Sequence, residues 1–342
     1  NMWDAAGAVS TATLYINVMG SGPSDPDANA DTVTAIEAGG TANGTAGNNP
    51  TGNLLSNDTL GNVPSGATLS VVAVKTTETA PANASALTGS ITFDGVTYAA
   101  KVTGQYGDLY VKADGTYRYV VNNTDPVVQA LRLSSNQLTD TFQYKITNGS
   151  GFNWSSLTVT INGANDAPVA VNDSITAIVG EYVPVGNVLA NDTDVDAGDT
   201  KTVTKIALGS TLPGTNNVTS STTYSSGYTE IIGTYGTLRI GADGSFTYLV
   251  DANNATIKAL GTGQLLSNPD VFTYEMRDAA GLLSTATMTM NVEGRNDAPV
   301  NTMPATFTAQ EGSSYAFTGA GNTVSASDVD DNLAATTVSV LN

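Results

Sequence analysis

The chain repeats itself, and the repeat limits what it can fold into. Residues 104–131 align without gaps to residues 233–260, with 11 of 28 positions identical. The tetrapeptide Asn-Asp-Ala-Pro occurs at 165–168 and again at 296–299, a spacing of 131 residues. A repeat of this length is the size of a whole domain, so we expect consecutive copies of one domain, each with its own core.

Related hairpin segments define the domain boundaries. Residues 1–20 match residues 275–294 at 12 of 20 positions, and an Asn-Asp-Ala-Pro joint follows each full copy. The predicted division is the last hairpin of a preceding repeat at 1–20, domain A at 21–164, domain B at 165–295 and the start of a further domain at 296–342. We therefore expect the sequence to be a segment of a longer polypeptide.

Within each copy, apolar residues alternate with polar ones at a period of two, on both sides of an Ala-Asp-Gly turn. The alternating positions are Leu109, Val111, Tyr117, Tyr119 and Val121 in domain A, and Leu238, Ile240, Phe246, Tyr248 and Val250 in domain B. This pattern predicts β-hairpins, and it places most Tyr and Phe side chains on the buried face. Only 126–132 and 254–260 predict helices. The sequence therefore favours an all-β fold with one sandwich per repeat.

A second hairpin is predicted to close each repeat. In domain B the turn Asp278-Ala-Ala-Gly281 separates two alternating segments. The predicted pairs join Phe272, Tyr274 and Met276 with Ala286, Met288 and Met290.

Charge and missing residue types exclude several classes of function. The chain has 12 Lys and Arg against 31 Asp and Glu, a net charge of −19, so we expect no nucleic-acid binding. It contains no run of about 18 apolar residues, so we expect no membrane insertion. Without His or Cys it lacks the usual general base, the thiolate nucleophile and most zinc, copper and haem ligands. No cleft with two convergent carboxylates is indicated, so we expect no enzyme.

The acidic residues are biased in type. The chain has 24 Asp but only 7 Glu. Asp is a poor helix former, a good turn residue and a good ligand for hard cations. The bias therefore predicts turns and loops that are rich in carboxylate oxygen.

Several segments together resemble the VCBS-type, cadherin-like repeats of giant bacterial adhesins that are secreted by the type I route and often carry RTX repeats. These segments are LLSNDT at 54–59, ADGTYRYVV at 113–121, VLANDTDVDAGDT at 188–200, ADGSFTYLV at 242–250 and DVFTYEMRDAAG at 270–281. The resemblance covers essentially the whole chain. It implies tandem immunoglobulin-like or cadherin-like sandwiches in an extended array at the bacterial cell surface, which act as extracellular spacers with calcium (Ca²⁺) at their joints.

Acidic residues are expected to meet at these joints. In such a sandwich the loop between the second and third strands and the last hairpin turn lie at the pole where the preceding linker arrives. At the A/B joint the predicted calcium ligands are Asn165, Asp166, Asp192, Asp194, Asp196, Asp199 and Asp278. At the next joint they are Asn296, Asp297, Asp328, Asp330 and Asp331. Calcium takes 6 to 8 oxygen ligands, which these side chains and nearby carbonyls can supply.

Three Glu residues, Glu37, Glu181 and Glu311, lie early in their domains. We expect each to reach the calcium at the far pole of its own domain. Isolated acids such as Asp94 and Asp270 are instead expected to cap turns and keep the surface soluble.

Domain A departs from this pattern at its N-terminal end. Its loop Ser56-Asn-Asp-Thr-Leu-Gly61 lacks the Asp-x-Asp of domain B, and Asn148 occupies the position that matches Asp278. Both features disappear together, so we expect no calcium at this pole.

Three functions remain open on the sequence. The favoured one is a calcium-stiffened spacer in an adhesin that supports cell adhesion and biofilm formation, whose partners are neighbouring domains of the same polypeptide. A second is a module that binds surface glycans through exposed aromatic residues. A third is a filament in which strands from one copy complete a sandwich in the next. The incomplete ends, of about 20 and 47 residues, sum to half a repeat, which favours simple excision over the filament.

Overall fold

The computed structural model describes residues 2–3, 6, 9–10, 23–77, 84–181, 183–212, 217–303, 311–312 and 325–331. The structure is 46% strand and 4% helix, which confirms the predicted all-β class. It divides into two compact units: one holds residues 1–38 and 45–164, and the other holds residues 39–44 and 165–342. No helix among the described residues is both long enough and apolar enough to cross a membrane.

The first unit contains the strands of domain A in two sheets. Strands β1 (Met2–Trp3) and β2 (Val9–Ser10) precede them. The domain's elements are β3 (Asp31–Ile36), β4 (Thr51–Asn53), β5 (Ser70–Thr76), β6 (Ser85–Ala86), β7 (Ile91–Phe93), β8 (Val96–Tyr98), β9 (Ala100–Thr103), β10 (Gly107–Val111), β11 (Thr116–Val121), α1 (Pro126–Gln129), β12 (Gln137–Thr147) and β13 (Phe152–Asn162). One sheet has the order β3-β13-β12-β5-β6 and the other β4-β11-β10-β9, while β7 and β8 form a separate hairpin.

The second unit contains domain B, built to the same plan. A short 3₁₀ turn (Thr41–Asn43) belongs to this unit. Its other elements are β14 (Asp173–Ile178), β15 (Val185–Asn187), β16 (Thr202–Leu208), β17 (Thr229–Ile232), β18 (Gly236–Ile240), β19 (Ser245–Val250), α2 (Ala255–Lys258), β20 (Asp270–Arg277), β21 (Leu283–Glu293), β22 (Val300–Thr302) and β23 (Ser325–Ser327). The sheets have the orders β14-β21-β20-β16 and β15-β19-β18-β17, and β22 pairs with β23.

The first and last strands of each domain pair in parallel, whereas the neighbouring strands are antiparallel. Strand β3 pairs with β13, and β14 pairs with β21, over six residues each. The central hairpin of each domain turns at Asp114-Gly115 or at Asp243-Gly244. Each Asp carboxylate accepts the amide N–H two residues later at 2.9 Å, and each Gly has a positive φ (85° and 79°) that favours glycine.

The last hairpin of domain B forms around the predicted turn. Phe272 lies opposite Met288, and Tyr274 lies opposite Ala286. Met276 faces Ser284 across the strands, and Met290 faces Asp270, which the sequence pattern did not anticipate. The difference places a carboxylate at the buried start of β20.

Aromatic residues fill both cores, as the alternation predicts. The largest fully buried side chains include Tyr119, Tyr144, Phe142, Tyr248, Tyr274 and Phe272. In domain B, the Tyr248 hydroxyl donates to Asp270 at 2.7 Å, and in domain A the Tyr119 hydroxyl donates to Asp140 at 2.6 Å. Burial, followed by this hydrogen bond, raises the pKa of both Tyr hydroxyls.

The expectation that Asp270 is a surface turn residue is wrong. Only 4% of Asp270 is exposed, and its carboxylate also accepts the amide N–H groups of Thr234 (2.9 Å) and Tyr235 (3.0 Å). Asp140 makes the same set of bonds to Gln105, Tyr106 and Tyr119. An ionised carboxylate can remain buried here because three donors replace its water.

We predict that Asp270→Asn lowers the free energy of unfolding of domain B by about 2 to 4 kcal/mol, because an amide NH₂ would face N–H and O–H donors. Chemical denaturation of the full chain measures this loss. The matched control is Asp94→Asn, which removes only an exposed ion pair to Arg118 and should cost about 0 to 1 kcal/mol. Equal losses in the two variants would contradict the role assigned to Asp270.

Candidate metal centre

The densest group of acids in domain B forms where three parts of the chain meet. The loop between β15 and β16 carries Asp192, Asp194, Asp196 and Asp199; the turn between β20 and β21 carries Asp278; and the segment before β14 carries Asn165 and Asp166. Because β20 ends and β21 begins at this pole, Asp278 reaches residues that lie 79 to 113 positions earlier in the chain.

Hydrogen bonds hold the leading segment to the loop and to the hairpin turn. The Asp166 amide donates to Asp196 Oδ2 at 2.8 Å, and Asn165 Nδ2 donates to Asp278 Oδ2 at 2.7 Å. Asp199 Oδ1 accepts the amide of Ala279 at 3.1 Å. Six of the seven residues predicted for this joint are therefore brought together.

The carboxylates are close to one another and withdrawn from water. One carboxylate oxygen from each of Asp194, Asp199 and Asp278 lies within 4.8 Å of the others. The exposed fractions of Asp166, Asp196 and Asp278 are 3%, 4% and 2%. Such spacing and burial are costly for negative charges unless a cation or a proton compensates them.

Several oxygens in this group have no hydrogen-bond donor. Asn165 Oδ1, Asp166 Oδ2 and Asp194 Oδ2 are buried without a partner in the described part of the chain. A hard cation such as calcium binds oxygens of this type, so the residues fit the ion that the sequence predicts.

The local electrostatics agree with this fit. Burial, followed by the charges of Asp196 and Asp194, raises the pKa of Asp166 to about 6. Burial also raises the pKa of Asp194, and the charges of Asp199 and Asp278 add to the effect. Each shift reflects a carboxylate whose charge is poorly compensated by the protein alone.

Asp192 belongs to a different group, although the sequence analysis placed it with its neighbours. Its Oδ1 accepts the Val171 amide at 2.7 Å, and the Tyr274 hydroxyl lies 3.1 Å from both carboxylate oxygens. Asp173 completes this group, and burial followed by the charge of Asp192 raises its pKa to about 6.

Domain A repeats that second group with Asp31, Asp58 and Tyr144. The Tyr144 hydroxyl donates to Asp31 Oδ2 at 2.6 Å, and Asp58 Oδ1 accepts the Asn29 amide at 2.7 Å. Asp31 and Asp173 were not among the residues predicted from the sequence. A sequence pattern does relate these two residues, because each begins one of two similar segments, DTVTAI at 31–36 and DSITAI at 173–178.

The segment at the second joint repeats the bonding pattern of the first. The Asp297 amide donates to Asp330 Oδ2 at 2.9 Å, as the Asp166 amide donates to Asp196. The amides of Asp330 and Asp331 both donate to Asp328 Oδ1 at 3.3 Å, and Asn296 Nδ2 donates to the Asp297 carbonyl at 2.7 Å. Hydrogen bonding between Asp328 and Asp330 lowers the pKa of the first and raises that of the second.

The three Glu residues occupy different environments. Glu37 is fully buried, and its Oε1 accepts the Ala164 amide at 2.9 Å, at the end of domain A. Glu181 is exposed and forms an ion pair with Arg295. Glu311 is exposed. Glu37 directly follows β3, and Val179 directly follows β14, which is the matching strand of domain B. The strand register therefore makes Val179, and not Glu181, the counterpart of Glu37.

Domain B is similar in sequence to a known family of domains. The sequence model of the bacterial cadherin-like domain matches residues 165–294. The chain is also similar to the calcium-binding lectin RapA2 of Rhizobium johnstonii, with 29% identity over 212 residues, which cover 59% of this chain and 81% of that protein. Domain B is therefore similar in sequence to bacterial cadherin-like domains.

Solved structures with tandem cadherin domains also align with the chain. The human CDH23 EC21-23 fragment is 14% identical with a TM-score of 0.40, and the alignment covers 89% of this chain and 84% of the fragment. For the protocadherin gammaB7 EC3-6 cis-dimer the identity is 17% and the TM-score 0.34, with 67% of this chain and 51% of that one covered. The chain thus spans about half of the protocadherin fragment.

We predict that, in the presence of chelator, domain B becomes more stable as the pH falls from 7 to 5. The folded-state pKa of Asp166 is about 6 and that of Asp173 is about 6, above the ordinary value of 3.8. Folded carboxyls therefore bind protons more tightly than unfolded ones, and this stabilisation grows as the pH falls through 6 toward 3.8.

Calorimetry of the full chain at both pH values tests this sign. Asp166→Asn should reduce the rise in melting temperature without reversing it, because Asp173 still contributes. A melting temperature of domain B that falls between pH 7 and pH 5 in chelator would contradict the prediction.

Proposed function

We propose that the chain is a calcium-dependent spacer region of an extracellular bacterial adhesin. One observation carries this proposal: Asp166 and Asp194 each hold a buried carboxylate oxygen that has no hydrogen-bond partner in the described part of the chain, and further carboxylates lie near both residues. The similarity to a protein named as a calcium-binding lectin supports the choice of ion. Secretion by the type I route, neighbouring RTX repeats and a part in biofilm formation are proposed with it, on the resemblance of the repeats.

The residues proposed to hold calcium are Asn165, Asp166, Asp194, Asp196, Asp199 and Asp278. A bound calcium ion would supply two positive charges and accept oxygen ligands from all three segments. Asp196 already orients the Asp166 amide, and Asn165 already contacts Asp278, so the segments are prearranged without the ion. Asn296, Asp297, Asp328, Asp330 and Asp331 are proposed as the ligands of a second site.

The spacer role follows from where the ligands lie in the sequence. Asn165 and Asp166 are part of the segment that connects domain A to domain B. A calcium ion that binds this segment together with the loop and the turn of domain B would restrict the backbone conformations of the connecting segment. The proposed partners are accordingly the neighbouring domains of the same polypeptide, and the proposed location is the cell surface.

A glycan-binding role is a second candidate, because a relative of this chain is named a lectin and domain A carries an exposed aromatic residue. Phe152 is 54% exposed, and Lys145 Nζ lies 4.1 Å from its ring centre, next to the half-buried Trp154. A glycan array with the wild-type chain and the Phe152→Ala/Trp154→Ala variant tests this role. Binding that does not depend on these rings would exclude this surface.

We predict that Asp194→Ala with Asp196→Ala abolishes the tighter class of calcium binding by the full chain. Two lost carboxylates leave too few charged oxygens to replace the hydration shell of the ion. Titration calorimetry should show dissociation constants of about 10⁻⁴ to 10⁻³ M for the wild type, as in other extracellular modules. The matched control, Asp243→Asn with Asp251→Asn, changes two exposed turn acids of the same domain and should bind like the wild type. Equal loss in the control would contradict the assignment.

We also predict that removing calcium makes the connection between the domains more flexible. Small-angle X-ray scattering of the full chain in millimolar calcium and then in chelator should show a changed maximum dimension. An identical pair of profiles would contradict the spacer proposal even if calcium binds. A particle mass that doubles or grows with concentration would instead support assembly between copies.

A further inference from the structure

The N-terminal poles of domains A and B can be compared residue by residue. The isolated bridge between Asp27 and Thr59 in domain A corresponds to the bridge between Val169 and Thr193 in domain B. Counting from these bridges, and from the paired strands of the last hairpin, gives four matched positions. The pairs are Ser24 with Asp166, Leu60 with Asp194, Asn62 with Asp196, and Asn148 with Asp278.

Asn148 and Asp278 hold the turn of the last hairpin in the same way. Asn148 Oδ1 accepts the amides of Ser150 at 3.0 Å and Gly151 at 2.9 Å. Asp278 Oδ1 accepts the amides of Gly281 and Leu282. The Oδ1 atom of each side chain thus accepts the amides of the turn. The two side chains differ only in the other terminal atom, which is Nδ2 in Asn148 and Oδ2 in Asp278.

That other atom is directed at the matched partners of the pole. Asn148 Nδ2 donates to the Leu60 carbonyl at 2.7 Å and to the Ser24 carbonyl at 2.8 Å. In domain B the same position is Asp278 Oδ2, which accepts an N–H from Asn165 Nδ2, and the Asp278 carboxylate lies close to those of Asp194 and Asp199. An acceptor atom is therefore replaced by a donor atom at the point where three segments meet.

We propose that Asn148 takes the place of the cation in domain A, and that the residue at this turn position determines whether a pole binds calcium. The Asn148 side-chain amide donates one hydrogen bond to Ser24 in the leading segment and one to Leu60 in the loop, and so connects the two. Its positive hydrogen atoms occupy the region that a cation would need. The inference rests on the proposed function only where it describes domain B.

The Asn148 side chain is fully hydrogen-bonded without a metal. Asn148 is 3% exposed, and its oxygen and both N–H donors have partners. The Ser24 amide donates to the Asn62 carbonyl at 2.9 Å, and the Asn62 amide donates to Ser24 Oγ at 2.7 Å. A carboxylate at 148 would instead place a buried charge against two carbonyl oxygens.

Hydrogen exchange of the full chain, with calcium and with chelator, tests the proposal. Amide exchange is followed in segments 24–27, 58–62 and 147–151 of domain A and in segments 165–169, 192–199 and 277–282 of domain B. In the wild type we expect calcium to slow exchange in the domain B segments by roughly tenfold or more and to leave the domain A segments unchanged. Calcium-dependent slowing in the domain A segments would overturn the proposal.

Two variants separate this inference from the function of domain B. Asn148→Asp should speed exchange in the domain A segments by roughly tenfold or more in both conditions, because two donors are lost and a charge is buried. The control Asn122→Asp adds the same charge at an exposed residue of domain A that lies outside these segments and whose side-chain oxygen accepts the Thr124 amide, so the segments should exchange as in the wild type. Unchanged exchange in Asn148→Asp would overturn the proposal.

Asp278→Asn should abolish the calcium response of domain B, because the variant carries the side chain that excludes the ion in domain A. A retained response would overturn the specificity assigned to this position. If the wild-type domain B shows no calcium response, the proposed function fails, whereas the role of Asn148 in domain A is still decided by Asn148→Asp in chelator.

Discussion

The N-terminal pole of domain B depends on the balance between carboxylate repulsion and the folding that brings the carboxylates together. Packing the aromatic core and pairing the last hairpin carry Asp278 to a loop that lies far from it in sequence. The charges then lie within a few ångströms in a site that excludes most water, where Coulomb energies exceed those in bulk solvent. A compensating positive charge, from a proton or a metal ion, would lower the energy of this arrangement.

Buried acids in this chain fall into two groups, and the number of donors around each one distinguishes them. Asp140 and Asp270 each accept two amide N–H groups and a Tyr hydroxyl, so the fold itself compensates their charge. Among the described residues, no donor reaches one carboxylate oxygen of Asp166 and one of Asp194. The number of hydrogen-bond donors, and not burial alone, therefore distinguishes these two kinds of buried carboxylate.

The repeat and the two-residue period were enough to predict the strands, the central hairpins and the all-β class, because these depend on local alternation and turn chemistry. They were not enough to separate Asp192 from Asp194, which are two residues apart, since the division depends on a contact with Tyr274 from a distant strand. Asp270 was misjudged for the same reason: its three donors come from other strands and loops. Glu37 and Glu181 were grouped because both lie early in their domains, and the sequence alone could not reveal the strand register that makes Val179 the counterpart of Glu37.

The parallel pairing of the first and last strands has a mechanical consequence. Strand β14 begins at the end of domain B where the chain arrives, and β21 ends where the chain leaves, as β3 and β13 do in domain A. Tension along the polypeptide pulls the two paired strands past each other in opposite directions, so all the ladder hydrogen bonds resist it together. An unzipping geometry would break them one after another, whereas this shearing geometry lets each sandwich bear tension as a unit.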